Sequence, residues 1–221
     1  MKKKLFAIFT VLCLLFLAAC QPKNAYDDKI SQLRYDILAG ESENYTVKAY
    51  LENRETPYKA DGIVQELKNY IIFKINFKNE PSAITGELEI AFTHDDKDYS
   101  SSLIYKPEFD SYVATFEVKS QPIAPLTATI TLLEAQENVT LASICKDVIK
   151  PEKALQTAIT AKQELLSELE KNNANYEIMV RLINQEQSVY YYVGIVENEY
   201  TTALLISDTG KLLAEKRIRN Q

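Results

Sequence analysis

The sequence predicts a mainly β protein with an α+β C-terminal part, and three observations carry that expectation. Seven short segments between Tyr45 and Cys145 alternate apolar and polar side chains with the period of a half-buried strand. Clusters such as Asn79-Glu80-Pro81-Ser82, Asp95-Asp96-Lys97-Asp98 and Pro107-Glu108-Phe109-Asp110 separate them with turn chemistry. After Lys150-Pro151 the apolar residues fall at helical spacing, and four more alternating segments follow.

Taken in order, the chain begins with a signal-like segment. Lys2, Lys3 and Lys4 precede an apolar run from Leu5 to Ala19 that is interrupted only by Thr10. As a helix this run would rise about 22 Å, short of the roughly 30 Å hydrocarbon core, so it reads as a secretory signal rather than a span. Its end, Leu17-Ala18-Ala19-Cys20, resembles the lipobox of bacterial lipoproteins. The resemblance implies acylation of the Cys20 thiol, removal of residues 1–19, and a mature chain held on the extracytoplasmic face of the cell membrane by lipid such as palmitate. Two acyl chains suffice for a stable anchor, at about 0.8 kcal/mol per buried methylene. Gln21 permits outer-membrane sorting in a two-membrane cell. Residues 20–25 form a short lipidated tether.

Ile30, Leu33, Ile37 and Leu38 recur at helical spacing, so Tyr26 to Ala39 is expected to be an amphipathic helix closed by Gly40. Strands are expected at Tyr45 to Leu51, Tyr70 to Phe77, Ile84 to Thr93, Tyr99 to Tyr105, Tyr112 to Val118, Thr127 to Leu133 and Val139 to Cys145. With the helix they make residues 26–149 an immunoglobulin-like β-sandwich, argued from strand count alone, because the chain has no tryptophan and no inter-sheet cysteine pair. The irregular segment Thr56 to Val64 is an excursion whose Tyr58, Lys59 and Asp61 stand on a loop.

Residues 150–221 form the second unit. Pro151 suits a first helical turn, and Leu155, Ala158, Ile159, Leu165, Leu166 and Leu169 form one stripe ending at Asn172-Asn173. Strands follow at Tyr176 to Ile183, Val189 to Val196, Tyr200 to Ser207 and Lys211 to Ile218, which makes a helix packed on a four-stranded antiparallel sheet. Tyr192-Val193-Gly194-Ile195-Val196 and Ala203 to Leu213, with its Ser207-Asp208-Thr209-Gly210-Lys211 turn, resemble the closing hairpin of PepSY-like domains, and a cystatin-like sheet has the same outline. The PepSY resemblance implies an extracytoplasmic module of a kind that includes protease inhibitors.

Chemistry-bearing constellations are scarce. Without residues 1–19 the chain has 22 basic against 31 acidic side chains, a net charge of −9, which disfavours nucleic acid as a partner. Cys145 is the one cysteine left beside Cys20 and reads as a small buried hydrophobe. His94 with Asp95, Asp96 and Asp98 lacks calcium-loop spacing, and Ser100, Ser101 and Ser102 lack a nucleophile-elbow context. No metal, cofactor or enzymatic activity is expected. Three consecutive tyrosines cannot share one strand face, so Tyr191 is assigned to the helix side and Tyr190 and Tyr192, with Tyr200, to a binding surface. The function expected is non-catalytic binding of a protein or peptide at the cell envelope; the alternative is inhibition or regulation of an envelope protease through the C-terminal part.

Overall fold

A computed structural model describes residues 26–59, 61–79, 86–185 and 188–220. The signal segment, the tether and Cys20 lie outside the described residues, as do Ile84 and Thr85 of one expected strand.

The fold is mainly β. Its strands are β1 (Ile30–Glu41), β2 (Tyr45–Glu55), β3 (Leu67–Phe77), β4 (Leu88–His94), β5 (Lys97–Ser102), β6 (Ile104–Lys106) and β7 (Ser111–Val118), followed by β8 (Leu126–Leu132) and β9 (Ala135–Ser143). Helices α1 (Pro151–Ala161) and α2 (Gln163–Lys171) come next, and then β10 (Tyr176–Gln185), β11 (Ser188–Glu197), β12 (Tyr200–Ser207) and β13 (Leu212–Arg219). One long curled sheet runs β13-β12-β11-β10-β1-β2-β3-β7-β6, and an arm β5-β4-β8-β9 joins it where β9 meets the end of β1. All pairings are antiparallel except β1 with β10.

Two apolar cores flank this sheet. The first packs β1, β2, β3 and β7 against the arm, with Leu38, Leu51, Phe73, Ile75, Ile90 and Ile130 buried between the layers. Phe73 meets Phe92 and Phe116 at ring-centroid distances of 5.3 and 5.8 Å, and Phe92 stacks on Tyr99 at 5.0 Å. The second core lies under the helices, where Leu155, Ala158, Leu166 and Leu169 cover Ile178, Val180, Leu182, Val193 and Leu204. Pro151 occupies the first helical turn, as its missing N–H allows, and the helical stripe is divided at Lys162 into α1 and α2.

The expected N-terminal helix is corrected: only Asp27–Lys29 forms a short 3-10 turn, and Ile30–Glu41 is the central strand β1. The reason is that β1 serves both cores. Tyr35 and Leu38 pack on the sandwich side and Leu33 and Ile37 on the helix side, with register shifts between Ile30 and Gln32 and between Arg34 and Asp36. A strand buried on both faces and bulged twice loses its alternation, and its apolar residues mimic a three-four spacing. Gly40 is no helix cap either. A Cβ there would stand 2.4 Å from the Thr140 carbonyl oxygen, so glycine lets β1 approach β9.

Candidate functional site

Part of the long sheet lies open beside the cores, with Tyr50 packed against the edge of the second core, and β2 and β3 set its chemistry. Alternation that buries Val47, Ala49 and Leu51 turns Lys48, Tyr50, Glu52 and Arg54 the other way, and burial of Ile71, Phe73 and Ile75 does the same for Tyr70, Ile72 and Lys74. Cross-strand register aligns these residues. Arg181, Arg34, Glu52 and Tyr70 are successive partners from β10 to β3, Tyr50 stands beside Ile72, and Lys48 beside Lys74. The result is a groove of about 620 Å³ floored by Tyr50, Ile72, Val113 and Thr115 and walled by Phe109 and Ile183. It continues over Lys48 and Asn76 into a second hollow of about 560 Å³ that shares Tyr50, Lys74 and Phe109.

Glu52 is the charge at its centre and is fully buried. Its Oε2 accepts from Arg34 Nε at 2.9 Å and Gln32 Nε2 at 2.9 Å, and Arg34 Nη2 lies 2.8 Å away. Arg54 Nη1 approaches Oε1 at 3.3 Å. Arg181 Nε donates to Gln32 Oε1 at 2.5 Å, which links a third guanidinium to the same network. Glu52 is the one carboxylate among the described residues lining this first hollow, against Arg34, Arg54, Lys74, Lys106 and Arg181, and Glu41, paired with Lys78 at 3.0 Å, lines the second.

Two further cations, Lys74 and Lys48, rest on neutral groups. Lys74 Nζ sits 3.6 Å from the centre of the Phe109 ring and 5.3 Å from that of Tyr50, whose face Arg34 Cζ also covers at 4.7 Å. Lys48 Nζ donates to Asn184 Oδ1 at 2.7 Å. Burial lowers the Lys74 ammonium pKa, and the nearby Arg34 and Lys48 charges lower it further. Burial likewise lowers that of Arg181, with Arg34 contributing. Both shifts have one meaning: these charges are partly desolvated, and a bound anion would relieve them.

Beside Arg181 the loop after β2 meets β10. Tyr58 donates a short hydrogen bond to Glu177, which is fully buried, and Glu55 beside them is 1% exposed with both carboxylate oxygens lacking a hydrogen-bond partner. Burial raises the Glu177 pKa above its ordinary value; the Tyr58 hydrogen bond opposes that shift, and the Glu55 and Asp61 charges add to it. Tyr58 was one of the three loop residues picked out in the sequence, and it is the one this contact engages.

The tyrosines of the C-terminal part divide between faces. Tyr191 is buried in the helix-side core and donates to the Ile149 carbonyl at 2.9 Å. Tyr190 and Tyr192 lie on the opposite face, Tyr190 donating to Gln185 Oε1 at 2.6 Å and Tyr192 standing beside Arg181 in register. Tyr200 does not join them: it shares the parity of buried Thr202 and Leu204, and Arg217 Cζ covers its ring at 4.5 Å. Tyr192 therefore borders the basic groove, and Tyr200 is on the far side of the sheet.

Other candidates carry little chemistry. Burial pushes the Cys145 thiol up to about 12, and its Sγ faces the Ile37 carbonyl at 3.9 Å. Asp95 and Asp96 take left-handed conformations in the tight turn from β4 to β5, and no group of three or more His, Cys, Asp or Glu among the described residues is placed to hold a metal. The groove was hidden in the sequence because reading Gln32 and Arg34 as helical removed them from the sheet. The polar face of β2, Lys48-x-Tyr50-x-Glu52-x-Arg54, was the available signal. No family model, curated protein or solved structure matches the chain.

Proposed function

We propose that this chain is a lipid-anchored, non-catalytic lipoprotein that binds a protein or peptide at the cell envelope through the open face of its long sheet. The single observation that carries the reading is the groove itself: partly desolvated cations gathered around one carboxylate, in a chain whose mature net charge is −9. Basic surface concentrated against the overall charge costs self-repulsion and desolvation, which a ligand would repay. The anchor rests on the lipobox at Cys20. In this reading residues 26–149 are an immunoglobulin-like sandwich, with its second layer joined edge-on through β9, and residues 150–221 a PepSY-like or cystatin-like unit that extends the binding sheet.

Two experiments test it. Cys20→Ser abolishes palmitate labelling and releases the protein from the membrane fraction; labelling that persists in the variant removes the anchor from the reading. A photo-crosslinker at Thr115, in the groove, captures an envelope protein on intact cells, whereas the same probe at Thr127, on the outer arm, does not. Equal yields from both positions, or none from Thr115, overturn the groove as the binding surface. Protease regulation through residues 150–221 is the second reading, favoured by the helix pair laid over a four-stranded meander. It predicts that the mature protein slows an envelope protease even when the groove cations are removed.

A further inference from the structure

We infer that the ligand of the groove is an extended acidic peptide whose one face carries carboxylates on either side of an apolar side chain, at positions i, i+2 and i+4. The inference rests on the function proposed above and narrows it to a ligand chemistry. The cations come in two groups separated by a largely apolar strip. Arg181 and Arg34 stand on one cross-strand row, Lys48 and Lys74 on another two residue-pairs away, and Tyr50, Ile72 and Thr115 occupy the row between them. Successive same-face residues on a strand are about 6.8 Å apart, so the two charged rows are separated by about 13 Å at the backbone. Long side chains leaning over Tyr50 narrow that gap.

Each charged group has unspent capacity. Among the described residues Lys48, Lys74 and Arg181 have no carboxylate in ion-pair contact; their contacts are Asn184, the Phe109 and Tyr50 rings, and Gln32. A guanidinium presents five donors, and the single bond to Gln32 leaves Arg181 able to take a carboxylate in bidentate fashion. Charge complementarity therefore selects an anion, and the strip between the charges selects its kind. Phe109, half exposed on the groove wall, together with Ile72 and Ile183, offers apolar area that a side chain would cover. A chain of phosphates would satisfy the cations and leave that strip wet. An extended peptide with acid, apolar and acid side chains at i, i+2 and i+4 presents all three to one face and satisfies both, and Asn76 and Asn184 beside the cations can bond its amides.

The test is calorimetric titration of the mature protein, residues 21–221, with the acetylated, amidated peptide Glu-Ser-Leu-Ser-Glu, whose acids and leucine share one face when extended. Two analogues accompany it, one with Gln for each Glu and one with Ser for the Leu, along with polyphosphate of similar charge. The parent peptide binds, each analogue binds at least about tenfold more weakly, and raising salt from about 50 mM to about 500 mM weakens binding further. Lys74→Ala reduces affinity about tenfold without lowering the melting temperature, and Arg181→Lys, which keeps charge but loses the bidentate fork, does so less. Polyphosphate binding as tightly as the parent peptide, or the serine analogue matching it, overturns the peptide assignment. So does a parent peptide that does not bind, or whose affinity Lys74→Ala leaves unchanged. Those failures leave the broader reading standing if the Thr115 crosslink still captures an envelope protein, and absence of that crosslink removes the broader reading independently of the peptide result.

Discussion

The two faces of β2 and β3 differ by a one-residue step and by everything else. On one side Val47, Ala49, Leu51, Ile71, Phe73 and Ile75 are at most 1% exposed and pack together in the first core. On the other, Lys48, Tyr50, Glu52, Ile72 and Lys74 line a groove in which charges sit on rings and amides. The first face is specified by packing, because water is excluded and every methylene counts. The second is specified by electrostatics, and part of its free energy is unspent until something binds. Substitutions one residue apart should therefore separate stability from binding.

The largest effect is expected on the packed side. Phe73→Ala removes a ring that touches Phe92 and Phe116 in the centre of the first core and should destabilise the protein by about 4 kcal/mol. Urea unfolding measures the loss, and the folded fraction should bind the acidic peptide with wild-type affinity. A loss of affinity in that fraction would mean that the two faces are coupled.

Glu52→Gln comes next and should move stability and binding in opposite directions. The substitution keeps an acceptor for Arg34 and Gln32 but leaves Arg34 and Arg54 without their anion. Breaking a buried pair costs about 3 kcal/mol when both partners are fully enclosed, and Arg34 and Arg54, 18% and 33% exposed, recover part of that from water. A loss of about 2 kcal/mol is expected. Affinity for the acidic peptide should rise, because the groove gains a positive charge. A variant that loses both stability and affinity would make Glu52 an organiser of the ligand-binding geometry rather than a counter-charge.

The same contrast explains what the sequence made legible. β2, β3 and β11 alternate over Tyr45–Leu51, Ile71–Ile75 and Tyr190–Val193, and the split of Tyr191 from Tyr190 and Tyr192 follows from that period alone. β1 did not, because it is buried by two cores and shifts register twice, so local pattern gave no sign that it was a strand or that it joins the two parts of the sheet. The groove depends on that joint: Arg34 meets Arg181 only through the parallel pairing of β1 with β10, a contact between residues far apart in sequence. Tyr200 was misplaced beside Tyr190 and Tyr192 for a smaller reason. Which parity faces the helices on β12 is set by its register with β11, and the tight turn between them is invisible to composition.

The smallest effect concerns the contact between the loop after β2 and β10, where Glu177 lies fully buried and accepts from Tyr58. Burial raises its pKa above the ordinary 4.5, so the native state binds this proton more tightly than the unfolded chain does. A carboxyl of this kind contributes most below its unfolded pKa, and its contribution falls as pH rises through the native value. Glu177→Gln is uncharged at every pH and still accepts from the Tyr58 hydroxyl. Urea midpoints measured from about pH 4 to about pH 8 should therefore fall for the wild type relative to the variant, with the variant the more stable at the alkaline end. The ratio of wild-type to Glu177→Gln affinity for the peptide over the same range, in which the peptide's own titration cancels, separates two roles for this end of the molecule. If that ratio changes with pH, the Tyr58 loop is part of the binding face. If it is constant, the electrostatic side of the sheet ends at Arg181, and the carboxylates beyond it belong to the structure of the loop.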